Sequence, residues 1–176
     1  MSRTYFLDES KSSGFMFAVA IVEQRDLATA RTATRHLAAP GSRRFHASQE
    51  SKSRLRSAIS SVSTLPVQHL VVIADRRNPL HEARQQALGF IAEQAVAGAS
   101  RIVIERDDTN VKHDVRTIRE VFDSVNSDVD HAPTYVHLRA HEEPLLWIPD
   151  LVAWAYRRGT SWRSQLGALE LQVKRL

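Results

Sequence analysis

Two continuous apolar runs near the middle of the chain constrain its fold most strongly. The first reads HLVVIAD over residues 69–75, and the second reads SRIVIERDD over residues 100–108. Both are rich in β-branched residues and neither alternates strictly between apolar and polar side chains, as expected of strands covered on both faces. Apolar residues at helical spacing follow each run, over 79–97 and over 112–125. Strands that alternate with helices predict an α/β fold, with a mixed central β-sheet flanked by helices.

The other segments extend this pattern. On either side of the turn KSSG, residues 3–8 and 14–23 predict the two strands of a hairpin. Further helices are predicted over 26–38, over 50–63, from about 148 and over 161–175, and further strands over 43–47 and 133–140. A chain of 176 residues has the size of one domain with its own core, so we predict a single domain over 1–176.

Composition narrows the class of protein. No apolar run is long enough to cross a membrane, and the N-terminus does not read as a secretory signal. The chain has no cysteine, which excludes disulfides and thiolate metal sites and favours a cytoplasmic location. Of its 24 basic residues, 20 are arginine. Arginine suits bidentate contacts with the phosphates of a nucleic acid, although a genome rich in G and C produces the same bias.

Acidic residues stand at three places where a strand ends or a helix begins. Asp8 closes the run YFLD, Glu105 closes RIVIE, and Asp150 lies in the first turn of IPDLVAWAYRR. In α/β sheets, functional sites gather at the carboxyl ends of strands and the neighbouring helix starts. Clustered carboxylates repel one another unless a cation neutralises them, and oxygen ligands suit Mg²⁺ or Mn²⁺. Each acid also has an ordinary interpretation, as part of a solvated turn, an exposed strand end or a favourable charge at a helix N-terminus.

Four motifs occur in an order that is known from one family. They are YFLDES at 5–10, FHAS at 45–48, the acid that ends RIVIE, and PDLVAWAYRRG at 149–159. In these motifs, which span about residues 4–158, the chain resembles a widespread prokaryotic family of uncharacterised proteins assigned to the RNase H-like (retroviral integrase-like) superfamily. Its members typically open with Asp-Glu-Ser-Gly on the first strand, carry a His-Ala-Ser element, and close with a Leu-Gln-x-Ala-Asp-Leu-Val helix.

The resemblance implies an RNase H-like fold and a set of site residues. Asp8, Glu105 and Asp150 match the acidic positions, Glu9 follows the first acid as a further metal ligand, and His46 matches the histidine of the middle element, as a substrate-binding or acid–base residue. The chain departs from the family where Lys11 replaces a glycine, Glu105 replaces the usual Asp, Arg44-Phe45 replaces an acid and an apolar residue, and Trp147-Ile148-Pro149 replaces Leu-Gln-x-Ala. One potential ligand is therefore missing near His46.

The leading hypothesis is a metal-dependent phosphodiesterase, a nuclease that binds one or two Mg²⁺ or Mn²⁺ ions through these carboxylates and hydrolyses nucleic acid. Arg76, Arg77, Arg157 and Arg158 are candidate contacts to the nucleic-acid backbone, or else a solvated face. One alternative is a non-catalytic RNase H-like module that binds nucleic acid or protein. Another is a phosphatase or nucleotide-processing enzyme with a small substrate.

Several other residues have a weaker claim to the site. Glu142 or Glu143 can substitute for the missing acid, whereas Asp75 is expected in a turn or at a helix cap. His137 and His141 lie four residues apart at a strand end, which is not the helical spacing of a zinc pair. The three tryptophans, Trp147, Trp154 and Trp162, are interpreted as core or helix-packing residues.

Overall fold

The computed structural model describes residues 2–125 and 132–176. In these residues six strands alternate with six helices. The strands are β1 (Arg3–Ser10), β2 (Met16–Glu23), β3 (Val67–Ile73), β4 (Ala99–Glu105), β5 (Thr134–Leu138) and β6 (Gln172–Arg175). The helices are α1 (Leu27–Arg35), α2 (Lys52–Val62), α3 (Leu80–Val96), α4 (Val111–Val125), α5 (Trp147–Arg157) and α6 (Thr160–Gln165). No helix in this part of the chain is both long and apolar enough to cross a membrane.

The six strands form one mixed sheet in the order β5-β4-β1-β2-β3-β6. The hairpin strand β2 runs antiparallel to β1 and to β3, whereas β4 is parallel to both β1 and β5, and β6 is parallel to β3. The apolar runs HLVVIAD and SRIVIERDD contribute most of β3 and β4. The predicted α/β class and mixed sheet are therefore confirmed.

Helices cover the sheet on both faces, and alternate residues of each strand point to opposite layers. Phe6 of β1 belongs to the core cluster that contains α1, α2 and α5, whereas Leu7 belongs to the cluster that contains α3 and α4. Both side chains are fully buried. This alternation also decides where the acids of β1 go, because Asp8 points to the same layer as Phe6 and Glu9 to the same layer as Leu7.

The predicted strand over 43–47 is wrong. This segment lies against α5 instead of beside a strand, with Phe45 buried in the core next to that helix. The backbone N–H of Ala47 donates to the Asp150 carboxylate of α5 at 2.8 Å, and no ladder forms. The strand prediction failed because Phe45 anchors the segment in the core and Ala47 bonds to Asp150 instead of to a strand.

The predicted helix over 161–175 is also wrong beyond its first turns. α6 ends at Gln165, a short 3-10 turn follows, and Glu170 has a left-handed conformation with φ of 50° that stops the helix. The chain then extends into β6 along β3, where Leu70 pairs with Gln172 and Ile73 with Arg175. An uncovered edge of β3 would leave backbone donors and acceptors unpaired, and β6 satisfies them.

Candidate active site

Asp8 and Glu105 lie side by side on adjacent parallel strands. The register pairs Leu7 of β1 with Ile104 of β4, so the next residue on each strand is an acid. Both acids point to the α5 layer, and Asp8 is only 9% exposed. Its Oδ1 accepts a hydrogen bond from the backbone N–H of Glu9 at 2.7 Å. β1 continues to Ser10, so Asp8 sits within the paired part of the strand instead of at its end.

Electrostatics at Asp8 oppose its ionisation. Burial raises the pKa of Asp8 well above its ordinary value, and the charges of Glu105 and Asp150 raise it further. A side-chain hydrogen bond with Glu105 acts in the same direction, because it favours the protonated form of Asp8. Arg84 acts in the opposite direction with a smaller effect. The three predicted acids therefore interact across β1, β4 and α5.

Asp150 projects from the first turn of α5, where Pro149 fits because a helix start needs no backbone N–H at that position. Its Oδ2 accepts the hydrogen bond from the Ala47 N–H and lies 3.1 Å from Nδ1 of His46. The second ring nitrogen of His46 is 3.0 Å from Oγ of Ser48. The FHAS segment is thus fastened to α5, and His46 contacts the third acid directly.

The pairing with Asp150 should be visible in the titration of His46. The hydrogen bond to Asp150 raises the pKa of His46 above its ordinary value of 6.5, against the opposing effect of burial. Its contribution to stability is therefore complete below pH 6.5 and lost as the pH rises through the folded-state pKa. We expect NMR titration of the imidazole to give a raised pKa that falls toward 6.5 in Asp150→Asn. Asp75→Asn, which removes a distant acid, should leave the pKa of His46 unchanged. Equal titration in both variants would contradict the pairing.

Glu9 is not brought to the layer of Asp8. Its carboxylate contacts Nη1 of Arg84 and lies 2.7 Å from Nζ of Lys11. Lys11 also binds Asp107 at 3.1 Å, so Lys11 takes part in an ion-pair network with Glu9 and Asp107. These contacts favour a structural role for Glu9 over metal ligation.

The donor types at the site suit a hard cation, although the side chains do not form a complete coordination group. Within residues 2–125 and 132–176, no group of three or more His, Asp or Glu side chains is arranged so that it could hold a metal ion. Buried Asp8 beside two further acids nevertheless has the chemistry that Mg²⁺ or Mn²⁺ prefers, because a cation would offset their repulsion.

The weaker candidate acids have partners elsewhere. Asp75 closes a turn with Arg77, whose side-chain and backbone hydrogen bonds lower the pKa of Asp75 to about 2. Glu142 accepts from the backbone N–H of Arg139 at 2.7 Å. Glu143 is buried, pairs with Arg31 at 2.9 Å and caps the following turn. The turn interpretation of Asp75 is confirmed, and neither glutamate stands in for the missing acid.

His137 has an acidic partner, and the tryptophans pack against other groups of the protein. His137 lies 2.9 Å from Oδ2 of Asp114. Trp147 is buried and donates to the carbonyl of Ala140 at 2.6 Å, and Trp154 packs edge-to-face on Trp162 at 4.9 Å between centroids. The tryptophans are therefore packing residues, as predicted.

Sequence reasoning missed a buried ion network under the site. Arg84 of α3 donates from Nε and Nη2 to the two oxygens of Asp114 on α4, at 2.7 and 2.8 Å, and both residues are almost fully buried. Through Glu9 the network reaches β1, and through His137 it reaches β5. The available signal was a charged residue on the apolar side of each helix, since a buried charge requires a partner.

Comparison with solved structures identifies the fold. The RNase HII chain in the PCNA:RNase HII complex from Archaeoglobus fulgidus matches with a TM-score of 0.60 and 12% identity, over 94% of this chain and 78% of that one. Ribonuclease H2 from Pyrococcus horikoshii OT3 matches with a TM-score of 0.53 and 11% identity, over 96% and 78%. No protein-family model and no curated protein matches the sequence. The family resemblance of the four motifs therefore stays a prediction, whereas the RNase H-like fold is confirmed.

Proposed function

We propose that the protein is a metal-dependent phosphodiesterase that hydrolyses nucleic acid, with Asp8, Glu105 and Asp150 as the residues that hold Mg²⁺ or Mn²⁺. One observation carries the proposal: two acids lie side by side on adjacent parallel strands of an RNase H-like sheet, beneath the helix that supplies the third. At such positions a cluster of one buried and two half-buried acids costs stability, and ligation of a cation is a function that accounts for this cost.

Each residue of the site has a distinct role in this proposal. In the metal-free protein the raised pKa of Asp8 favours its protonated form, and uptake of a cation would release that proton. His46 and the Ala47 N–H orient Asp150 through its Oδ2, so His46 is a positioning residue that acts through Asp150. A bound Mg²⁺ or Mn²⁺ would supply an acidified water as nucleophile and neutralise charge on the phosphate.

A second candidate function is a nucleic-acid-binding module that does not cleave. The observation that favours it is the arrangement of Asp150, whose Oδ2 is already bound by two groups of the FHAS segment. Lys11 points the same way, because its ammonium group binds Glu9 and Asp107, the acids that follow Asp8 and Glu105 along the chain.

Calorimetric titration with Mn²⁺, followed by cleavage assays, separates the two candidates. We expect wild type to bind Mn²⁺ and to cut labelled DNA or RNA only with metal present. Glu105→Gln should lose at least about 10²-fold in cleavage rate, because several kcal/mol of transition-state stabilisation depend on the metal. The matched control is Asp75→Asn, which also removes an acid just after a strand but one that is paired with Arg77. Absence of Mn²⁺ binding, with retained binding of nucleic acid, would favour the module.

A further inference from the structure

Four arginines from three separate parts of the chain meet beside the turn between β1 and β2. Arg157 of α5 donates from Nη1 to the carbonyl of Ser13 at 3.2 Å and from Nη2 to that of Gly14 at 2.7 Å. Arg76 covers the same turn, since a Cβ on Gly14 would lie 3.0 Å from its Cγ. Gly14 also has φ of 99°, so glycine is required there both for conformation and for this close approach.

Tyr156 holds the other two arginines next to Arg157. Nε of Arg163 donates to the carbonyl of Tyr156 at 2.6 Å, and its guanidinium lies 4.4 Å from the centre of the Tyr156 ring. Nη2 of Arg175, in β6, lies 3.4 Å from the Tyr156 hydroxyl. We call Arg76, Arg157, Arg163 and Arg175 the arginine cluster.

The chain offers few acidic partners to the arginine cluster. Over 151–176 the sequence contains one acid, Glu170, and five basic residues. Among the described residues, no member of the cluster forms a salt bridge. By contrast, Arg77 is neutralised by Asp75 at close range. Burial and the charges of Arg76, Arg163 and Arg175 all lower the pKa of Arg157, as expected where guanidinium groups crowd together.

We infer that the arginine cluster binds backbone phosphates of the nucleic acid whose strand reaches the acids, an inference that rests on the proposed function. One guanidinium group can donate two hydrogen bonds to two oxygens of the same phosphate. A bound anion also relieves the mutual repulsion of the four guanidinium groups. Asp150 and Arg157 are seven residues apart on α5, or about 10 Å along the helix. A strand whose phosphate rests on the cluster therefore continues along α5 toward Asp8 and Asp150.

The aromatic residues nearby favour phosphate contacts over base stacking. The Arg158 guanidinium lies over the Trp154 ring at 4.9 Å, and that of Arg56 over the Trp162 ring at 5.7 Å. The two indoles also pack edge-to-face on each other. Because guanidinium groups already cover these rings, recognition here depends on charge and is independent of base sequence.

The test is binding without cleavage, measured by fluorescence anisotropy of labelled single-stranded and duplex DNA in EDTA. We expect the double variant Arg76→Gln/Arg175→Gln to bind about tenfold more weakly, with a slope of log affinity against log salt that is shallower by about two. Arg76→Lys/Arg175→Lys keeps both charges and should restore the slope. The matched control is Arg101→Gln, an exposed arginine on β4 toward the opposite end of the sheet. Thermal melting checks that every variant is folded.

Three results would overturn the inference. The first is a double variant that binds like Arg101→Gln. The second is wild type that binds no nucleic acid. The third is a competition result: inorganic phosphate displaces the labelled strand as well as unlabelled strand does at the same concentration of phosphate groups. Such a result would indicate a site for the free anion. Because EDTA removes the proposed metal, the binding measurement does not depend on whether the protein cleaves nucleic acid. The Mn²⁺ titration, in turn, does not depend on whether the arginine cluster binds phosphate.

Discussion

Asp8→Asn should make the metal-free protein more stable while it abolishes metal-dependent cleavage. Burial, Glu105 and Asp150 together raise the pKa of Asp8 well above 3.8, so ionisation of Asp8 destabilises the fold. This penalty is absent below pH 3.8, grows as the pH rises and is complete above the folded-state pKa. Asparagine has the same shape and no charge to desolvate. At neutral pH in EDTA we therefore expect a melting temperature a few degrees higher, since about 1 kcal/mol corresponds to about 2–4 °C in a chain of this size.

Addition of Mn²⁺ should reverse the order of stability. Wild type gains stability from a ligand that binds only the folded state, whereas Asp8→Asn has lost a central ligand and gains little. Its cleavage rate should fall at least about 10²-fold. As control, Asp75→Asn should not raise the melting temperature in EDTA, because the pKa of Asp75 is lowered by Arg77 and its charge is favourable. A metal-free Asp8→Asn that melts below wild type would show that the acids of the site do not strain the fold.

The acids of the site could be predicted from the sequence because their positions follow from local pattern. YFLD and RIVIE read as buried strands, and their last residues must lie near each other if the strands are parallel neighbours. The same alternation already assigns Asp8 and Glu9 to opposite faces, so the proposal of both as ligands conflicted with strand geometry. What the sequence could not supply was the partner of Glu9, since Arg84 lies 75 residues further along the chain.

The arginine cluster illustrates a limit of another kind. Its members are separated by up to 99 residues and read as scattered charges. Only the pairing of β6 with β3, which places Arg175 beside Ile73, and the packing of α5 bring Arg175 to the same place as Arg76 and Arg157. The formation of β6 was itself missed. LQVKR alternates apolar and polar residues over four positions only, and it becomes a strand because the edge of β3 offers unpaired backbone groups. Local periodicity in the sequence does not predict features that depend on pairing between residues far apart in the chain.

Arg84→Met should be the most destabilising of the substitutions considered. Arg84 is 3% exposed, lies against the rings of Phe15 and Phe17, and contacts the carboxylates of Asp114 and Glu9. Methionine fills much of the same space but leaves buried Asp114 without the guanidinium and Glu9 with Lys11 alone. Breaking a buried pair in this way costs about 3–5 kcal/mol. At neutral pH we therefore expect the melting temperature to fall by about 6–20 °C.

The pH dependence of this loss has a definite sign. Burial raises the pKa of Asp114, but hydrogen bonds and charges from Arg84 and His137 outweigh it and lower the pKa overall. The ionised Asp114 therefore stabilises wild type above its ordinary pKa, and this stability is lost as the pH falls through the folded-state pKa. Without Arg84, Asp114 is easily protonated, so the deficit of Arg84→Met should be largest at neutral pH and shrink in acid. Arg116→Met, which breaks only an exposed pair with Glu120, should cost less than about 1 kcal/mol.

The double variant Arg84→Met/Asp114→Asn separates lost charge pairing from lost packing. If the deficit comes from the unpaired carboxylate, removing that charge should recover part of the stability lost in the single variant. If the two variants melt at the same temperature, the guanidinium acts only by filling space. Arg84 also lowers the pKa of Asp8. Its removal should therefore weaken Mn²⁺ binding at neutral pH more than at alkaline pH, a shift that a purely structural loss of folded protein would not produce.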